Sequence, residues 1–264
     1  MHDWHDRPVP LTPVIGIDKE KCVNCHACIS ACPVKFCNDG SGDHVTLDSS
    51  TCIGCGTCLV ACTHGARYYI DDFQAFLDDS AKGVKMVAIT APSAAANFPE
   101  HYLNLNGWLK SRGVDAIFDV SFGAELAVRS YVEHIRKHNP ETTIAQPCPV
   151  IVTFIEIYHP ELLPYLAPVD SPMVHCMKMV RHFYPKYEEH KIVVVSPCIA
   201  KKREFAATGL GDYNVGYVSI AKHLDSTGVS LADFPAVGYD NPPPERAVLF
   251  SSPGGLRRRL ARWL

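Results

Sequence analysis

Eight of the twelve cysteines in this 264-residue chain fall into two runs, 22-CVNCHACISACP-33 and 52-CIGCGTCLVACT-63. Each reads C-x2-C-x2-C-x3-C, and every cysteine recurs 30 residues on: Cys22 with Cys52, Cys25 with Cys55, Cys28 with Cys58, Cys32 with Cys62. Thiolates at this spacing bind metal. Zinc is the competing reading, but tetrahedral zinc sites usually pair two C-x2-C hooks across a longer gap. Three closely spaced thiolates and a fourth three residues later suit the faces of an iron–sulfur cube. Gly54 and Gly56 let backbone amides approach such a cluster, where N–H donors to sulfur tune its potential. His26 and His64 lie in or beside the runs, but with four cysteines per cluster they read as neighbours rather than ligands. Cys37 has no counterpart at position 67, which is Arg67, and reads as a small side chain near a cluster.

Two further cysteines are isolated between prolines and other residues: Cys148 in 146-QPCPV-150 and Cys198 in 196-SPCIAKKRE-204. Lone cysteines at strand ends are ordinarily core residues. The flanking prolines and the Lys201–Lys202 pair point instead to metal-ligand ancestry. A nucleophilic Cys198 activated by those lysines is an alternative, although no partnered base stands out. Cys176, beside methionines in a helical run, reads as a buried small residue.

The elements that must position these groups follow from pattern. Apolar runs at 86–90, 116–120, 143–146, 192–196, 215–219 and 247–251 suit strands covered on both faces, as in a parallel sheet. Helical patterns at 123–139 and 172–184 alternate with them, which argues for an α/β fold with chemistry at the carboxyl ends of the strands. Short β-prone flanks, VIGID and HVTLD, precede the two cysteine runs, and 71–83 reads as a helix and linker. The division expected is a small α+β metal-binding domain over 1–80 and an α/β domain with a mostly parallel sheet over 81–264. The glycines of 252-SPGGLRRR-259 read as allowing close packing of strand on helix. Arg257, Arg258, Arg259 and Arg262 read as a solvated face or as complements to a helix C-terminus.

Composition excludes several classes. A hydrophobic share of 47% and a charged share of 20% are those of a globular protein, and a net charge of −3 offers nucleic acid no footprint. No apolar run is long enough to span a membrane. The start, 1-MHDWHDRPVPLTP-13, lacks the basic-then-apolar order of a secretory signal, so a cytoplasmic, reducing setting is expected. Twelve cysteines there imply metal or redox chemistry rather than disulfides. No glycine-rich dinucleotide fingerprint supports NAD or flavin binding.

The N-terminal segment resembles the bacterial-type two-cluster ferredoxins, whose fourth cysteine in each run reaches the other cluster. The resemblance implies one 4Fe-4S cluster on Cys22, Cys25, Cys28 and Cys62 and another on Cys52, Cys55, Cys58 and Cys32. Pro33 keeps that family's following proline, whereas the second run has Thr63. Residues 86–264 resemble the catalytic domain of the iron-only (FeFe) hydrogenases, truncated at its end. The match is carried by 88-AITAPSAAANF-98, 117-IFDVSFGAELA-127, 146-QPCPV-150, 159-HPELLPYL-166, 171-SPMVHCMKMV-180 and 196-SPCIAKKRE-204, with 239-YDNPPPERAVLFSSPGGLRRRL-260 at the tail.

The resemblance implies that Cys148 and Cys198 are two of four thiolates for a third 4Fe-4S cluster, with Lys201 donating to a cyanide on a di-iron centre. The remaining two thiolates belong to a C-x3-C motif that is missing: no cysteine follows Cys198, and the chain stops at Leu264. The domain is thus expected to be incomplete at its C-terminus. Leu256, Leu260 and Trp263 line one face of an amphipathic helix that expects a partner. Pro147 stands where the catalytic enzymes have a proton-relaying cysteine, and Ser196 where they have a methionine. Such departures resemble sensory or divergent branches. The prelamin A recognition factor-like proteins use the same fold in iron–sulfur assembly, so fold alone does not fix function.

The function expected is electron transfer or redox sensing through two 4Fe-4S clusters. The partner would be a ferredoxin or a signalling or oxidoreductase module. The alternatives are a hydrogenase completed elsewhere, with a third cluster and di-iron centre, and a cluster-assembly scaffold.

Overall fold

The computed structural model describes residues 11–245 and 247–264. The stretch read as lacking a secretory signal lies outside these, apart from residues 11–13.

The repeat in the sequence is also a repeat in the backbone. The elements run β1 (Ile15–Ile17), α1 (Ala27–Ala31), β2 (Asn38–Asp39), β3 (Thr46–Leu47), α2 (Thr57–Ala61) and β4 (Arg67–Tyr69). β1 pairs antiparallel with β4, and β2 antiparallel with β3. In each cysteine loop the chain turns through positive φ at two matching positions: Asn24 (52°) and His26 (61°), then Gly54 (74°) and Gly56 (81°). These left-handed steps send the chain into α1 and α2 immediately after the second cysteine of each run. Glycine takes that conformation freely, and Asn and His are among the few other residues enriched there.

A larger body follows: α3 (Phe73–Ala81), β5 (Met86–Thr90), α4 (Ala94–Asn97), α5 (Tyr102–Ser111), β6 (Val114–Asp119), α6 (Val120–His138), α7 (Pro149–Tyr158), α8 (Pro172–Phe183), β7 (Lys191–Ser196), α9 (Lys201–Thr208), β8 (Tyr213–Gly216), α10 (Tyr217–Thr227) and α11 (Gly255–Leu260). Four strands form a parallel sheet in the order β6-β5-β7-β8. Both faces are covered, which is why the strands read as unbroken apolar runs. Met86, Ala88, Val193 and Val195 pack with Phe76, Trp108 and Ile220 on one side. Val87, Ile89, Phe118 and Val194 pack with Cys176, Met177 and Val180 on the other. Cys176 is fully buried there, as a small core side chain.

Three expected strands are corrected. Residues 143–146 make only one isolated bridge, Ile144 to Leu166; Pro147 follows, and Gln146 bonds to Tyr131 and Ala167 instead of a sheet. Residues 247–251 contain a 3-10 turn, Ala247–Leu249, because the Ala247 N–H is taken by the Glu125 carboxylate at 2.8 Å. The strand expected over 215–219 ends at Gly216, and α10 begins at Tyr217. The helix expected over 123–139 starts earlier, at Val120, where the Asp119 side chain caps it by accepting from the Ser121 N–H at 2.8 Å.

The tail also departs from expectation. Leu256 and Leu260 find their partners within the chain, against the cluster of Tyr131, Ala167 and Val169. Arg259 is not on a solvated face: it is buried, with its guanidinium 2.6 Å from Glu125. Gly255 does serve close packing, but against the backbone of the 3-10 turn at Leu249 and Phe250 rather than a strand.

Candidate metal centres and the cavity at the sheet edge

The two cysteine runs exchange their last members. One cavity is lined by Cys22, Cys25, Cys28 and Cys62, together with His26, His64 and Arg67. A second is lined by Cys52, Cys55, Cys58 and Cys32, with Cys37 beside them. The thiols ring a space rather than converge on a point: among the described residues, no three His, Cys, Asp or Glu side chains gather as a single metal ion requires.

The surroundings suit negatively charged sulfur. The Val45 N–H lies 3.4 Å from Cys22 Sγ, the Lys35 N–H 3.3 Å from Cys32 Sγ and the Gly54 N–H 3.3 Å from Cys52 Sγ. Burial alone would raise the Cys62 pKa, yet the backbone N–H groups of Arg67, Ala66 and His64 hold it below the ordinary thiol value. Cys52 is held below the ordinary thiol value by the neighbouring Cys37 thiol, helped by the Gly54 N–H and Arg203 against its burial. Cys58 goes the other way, up to about 11, because burial outweighs the pull of Arg67.

Arg67 is itself buried. Its Nη2 lies 3.2 Å from Cys28 Sγ and 2.6 Å from Asn38 Oδ1, while Nη1 is buried without a hydrogen-bond partner. A buried guanidinium facing thiols calls for an anion in the space between. A cluster held by four thiolates carries net negative charge, so the residues of both cavities fit 4Fe-4S clusters. Arg67 carried no ligand-type signal in the sequence; its position one repeat after Cys37 was the only sign.

The larger body meets the second cavity directly. Ile199 packs into the same core as Val14, Ile53 and the cysteines, with Val150, Phe154 and Tyr158 at its margin. Tyr158 donates to the Thr51 carbonyl at 2.6 Å. Gly54 approaches so closely that a Cβ there would sit 3.4 Å from Ala200 Cβ and 3.5 Å from Arg203 Cζ.

A third cavity, about 400 Å³, opens between the carboxyl ends of β5 and β7. It is lined by Ser93, Ser121, Pro147, Ser196, Cys198 and Lys201, among mostly apolar neighbours. That is the switch point of the sheet, where the chain leaves β5 for β6 on one side and later for β7 on the other. Lys201 is buried and donates to the Pro147 carbonyl at 3.2 Å and to Glu204 Oε2 at 2.9 Å; Ser171 donates to the same oxygen at 3.0 Å. Burial holds the Cys198 pKa above the ordinary thiol value, against the pull of Lys201 and with a further push from nearby Cys148. That direction disfavours Cys198 as a free nucleophile. Cys148 stands at the N-cap position of α7, ahead of Pro149, with no capping hydrogen bond from its side chain. The structure thus brings Cys148, Cys198 and Lys201 to one end of the sheet. Among the described residues Cys198 is the one cysteine that lines this cavity, with Cys148 near it, and the donor set falls short of a four-thiolate cluster.

Comparison with known proteins follows this division. The family described as "Iron only hydrogenase large subunit, C-terminal domain" matches residues 84–264, more than half of the sequence. The chain belongs to the iron-only hydrogenase large-subunit family. A 4Fe-4S binding domain matches residues 15–36 and 45–68, so this family member carries a ferredoxin-type region ahead of its hydrogenase-like domain. It is 31% identical over 224 residues to Iron hydrogenase 1 of Clostridium pasteurianum, covering 72% of the chain but only 39% of that protein. It is 30% identical over 120 residues to Nuclear prelamin A recognition factor of Mus musculus, covering 40% of the chain and 26% of the relative. Over 103 residues it is 29% identical to Cytosolic Fe-S cluster assembly factor NAR1 of Yarrowia lipolytica, covering 36% and 21%. Among solved structures, the FeFe hydrogenase HydA1 of Chlamydomonas reinhardtii shares the fold, with a TM-score of 0.55 and 22% identity over 65% of this chain and 51% of that one. No described helix is long and apolar enough to cross a membrane.

Proposed function

We propose that this iron-only hydrogenase family member is a two-cluster electron-transfer or redox-sensing protein. Cys22, Cys25, Cys28 and Cys62 hold one 4Fe-4S cluster, and Cys52, Cys55, Cys58 and Cys32 hold the other. The observation that carries this reading is the pair of cavities, each lined by three cysteines of one run and the last cysteine of the other. Bound there, such a cluster takes up and returns one electron. The chain's own residues set the terms: N–H groups of Val45, Lys35 and Gly54 donate to ligand sulfurs, Arg67 offsets the charge of the first centre, and Arg203 sits beside the second. The contacts of Ile199 and Tyr158 with the ferredoxin-type region support coupling of the second centre to the hydrogenase-like domain. Its partner is a redox protein such as a ferredoxin, or a signalling or oxidoreductase module, in the cytoplasm.

A second reading draws on the 400 Å³ cavity. With two thiolates from Cys148 and Cys198 and two from sequence outside this chain, the hydrogenase-like domain would turn over H2. Pro147, with no proton to give, weighs against it.

Iron and sulfide quantitation on anaerobically purified protein, with EPR after reduction, tests both. About eight irons per chain and two interacting 4Fe-4S signals support the first reading. About twelve irons together with H2 turnover replace it with the second, and about four irons remove one of the two centres.

A further inference from the structure

The second cavity holds one thiol more than a cubane uses. Cys37 is buried, lines the same space as Cys32, Cys52, Cys55 and Cys58, and lies just past the matched segment that ends at residue 36. Its Sγ is 3.7 Å from Cys32 Sγ. Two thiolates on one tetrahedral metal, at the roughly 2.3 Å bond length known for zinc, stand roughly 3.8 Å apart. Cys32 and Cys37 therefore have the spacing of two sulfurs that reach the same metal atom.

Each sulfur also has its own donor. The Lys35 N–H points to Cys32 Sγ at 3.3 Å, and the Asn38 amide points to Cys37 Sγ at 3.2 Å. Each sulfur thus sits within reach of a hydrogen-bond donor of its own. The first cavity lacks this arrangement: one repeat on from Cys37 stands Arg67, whose guanidinium bonds to Cys28. The two halves therefore differ at this step, a fixed cation in one and a spare thiol in the other.

We propose that Cys37 is a reserve ligand of the second centre, interchangeable with Cys32 at the iron both can reach. In the exchange the iron–sulfur bond to Cys32 breaks and the bond to Cys37 forms. The Cys37 thiol proton passes to Cys32, and no electron moves. The inference rests on the reading of a second 4Fe-4S cluster at these cysteines.

The test uses the full chain, purified without oxygen, with iron and sulfide counted and EPR recorded after reduction. Wild type at about four irons would remove the second cluster, and the reserve ligand with it. With wild type at about eight, Cys32→Ala is expected to keep both clusters, because Cys37 takes over. Cys32→Ala/Cys37→Ala is expected to keep one cluster, and so is Cys62→Ala, where no spare thiol waits. Loss of a cluster in Cys32→Ala to the same extent as in Cys62→Ala overturns the proposal. If Cys32→Ala fails to fold, Cys37→Ala decides. Its second cluster should lose iron to an excess of chelator several times faster than wild type, with the first cluster unchanged, and equal rates overturn the proposal.

Discussion

Arg67 holds its Nη2 3.2 Å from the sulfur of Cys28, inside a pocket that hides both side chains from water. A fixed positive charge at that distance favours the more negative, reduced state of a neighbouring cluster. Arg67→Gln should lower the midpoint potential of the first centre by about 60 mV, a tenfold change for one electron. The second centre should hold its value. A redox titration followed by EPR reads both potentials, and no shift in either would remove Arg67 as a tuning group.

Lys201 and Glu204 form a buried pair at 2.9 Å. Removing one partner strands the other charge, at a cost of about 3–5 kcal/mol, whereas removing both costs far less. Lys201→Met and Glu204→Leu should each lower the melting temperature sharply, and the double variant should recover most of that loss. Additive losses in thermal melts would show that the two side chains are not coupled.

Asp79 ties α3 to the sheet, accepting from Tyr213 at 2.5 Å and from Lys191 at 2.9 Å. Its carboxyl is held below the usual carboxylate range, first by the Tyr213 hydrogen bond and then by Lys191 and Lys82. A depressed native pKa contributes stability that is complete above the unfolded value, near pH 4, and fades as pH falls through the native one. Asp79→Asn should therefore melt lower than wild type at pH 7, with the gap narrowing below about pH 4. A gap that is constant across pH would assign the effect to packing rather than charge.

Gly123 lets α6 lie directly on α8: a Cβ there would press on the Pro172 carbonyl and come within 3.0 Å of Cys176 Cβ. Because the obstacle is mainly backbone, Gly123→Ala should destabilise by about 1–3 kcal/mol even though alanine favours a helix. Unchanged denaturation midpoints would mean the helices separate at little cost.

Where the sequence was legible, it was because local chemistry left no choice. The cysteine spacing requires loops that turn twice through positive φ, and the paired positions Asn24/Gly54 and His26/Gly56 do so. The central strands β5 and β7 were readable because burial on both faces leaves only apolar residues. Segments 143–146 and 247–251 share that apolar pattern but not its cause: Gln146 and Ala247 give their N–H groups to Tyr131 and Glu125, so no ladder forms. Arg259 misled for a related reason, since an arginine can be buried when a distant carboxylate, here Glu125, receives it. The donors that face the sulfurs, above all Arg67, arise from folding distant segments together and leave little local trace.

The position of β5 has a consequence for the order in which the chain is made. It is the inner strand between β6 and β7, and its partner residues on β7 are translated about 100 residues later. The ferredoxin-type region, by contrast, pairs β1 with β4 and β2 with β3 using residues 15–69 alone. On the ribosome its eight cysteines are therefore gathered while β5 still waits for β7, and short-range contacts of this kind form quickly. Only when Ile199 and Ala200 emerge does the face beside Gly54 close. The side of the second cavity beside Gly54 is thus open during synthesis and covered in the finished protein, while Cys55 stays exposed.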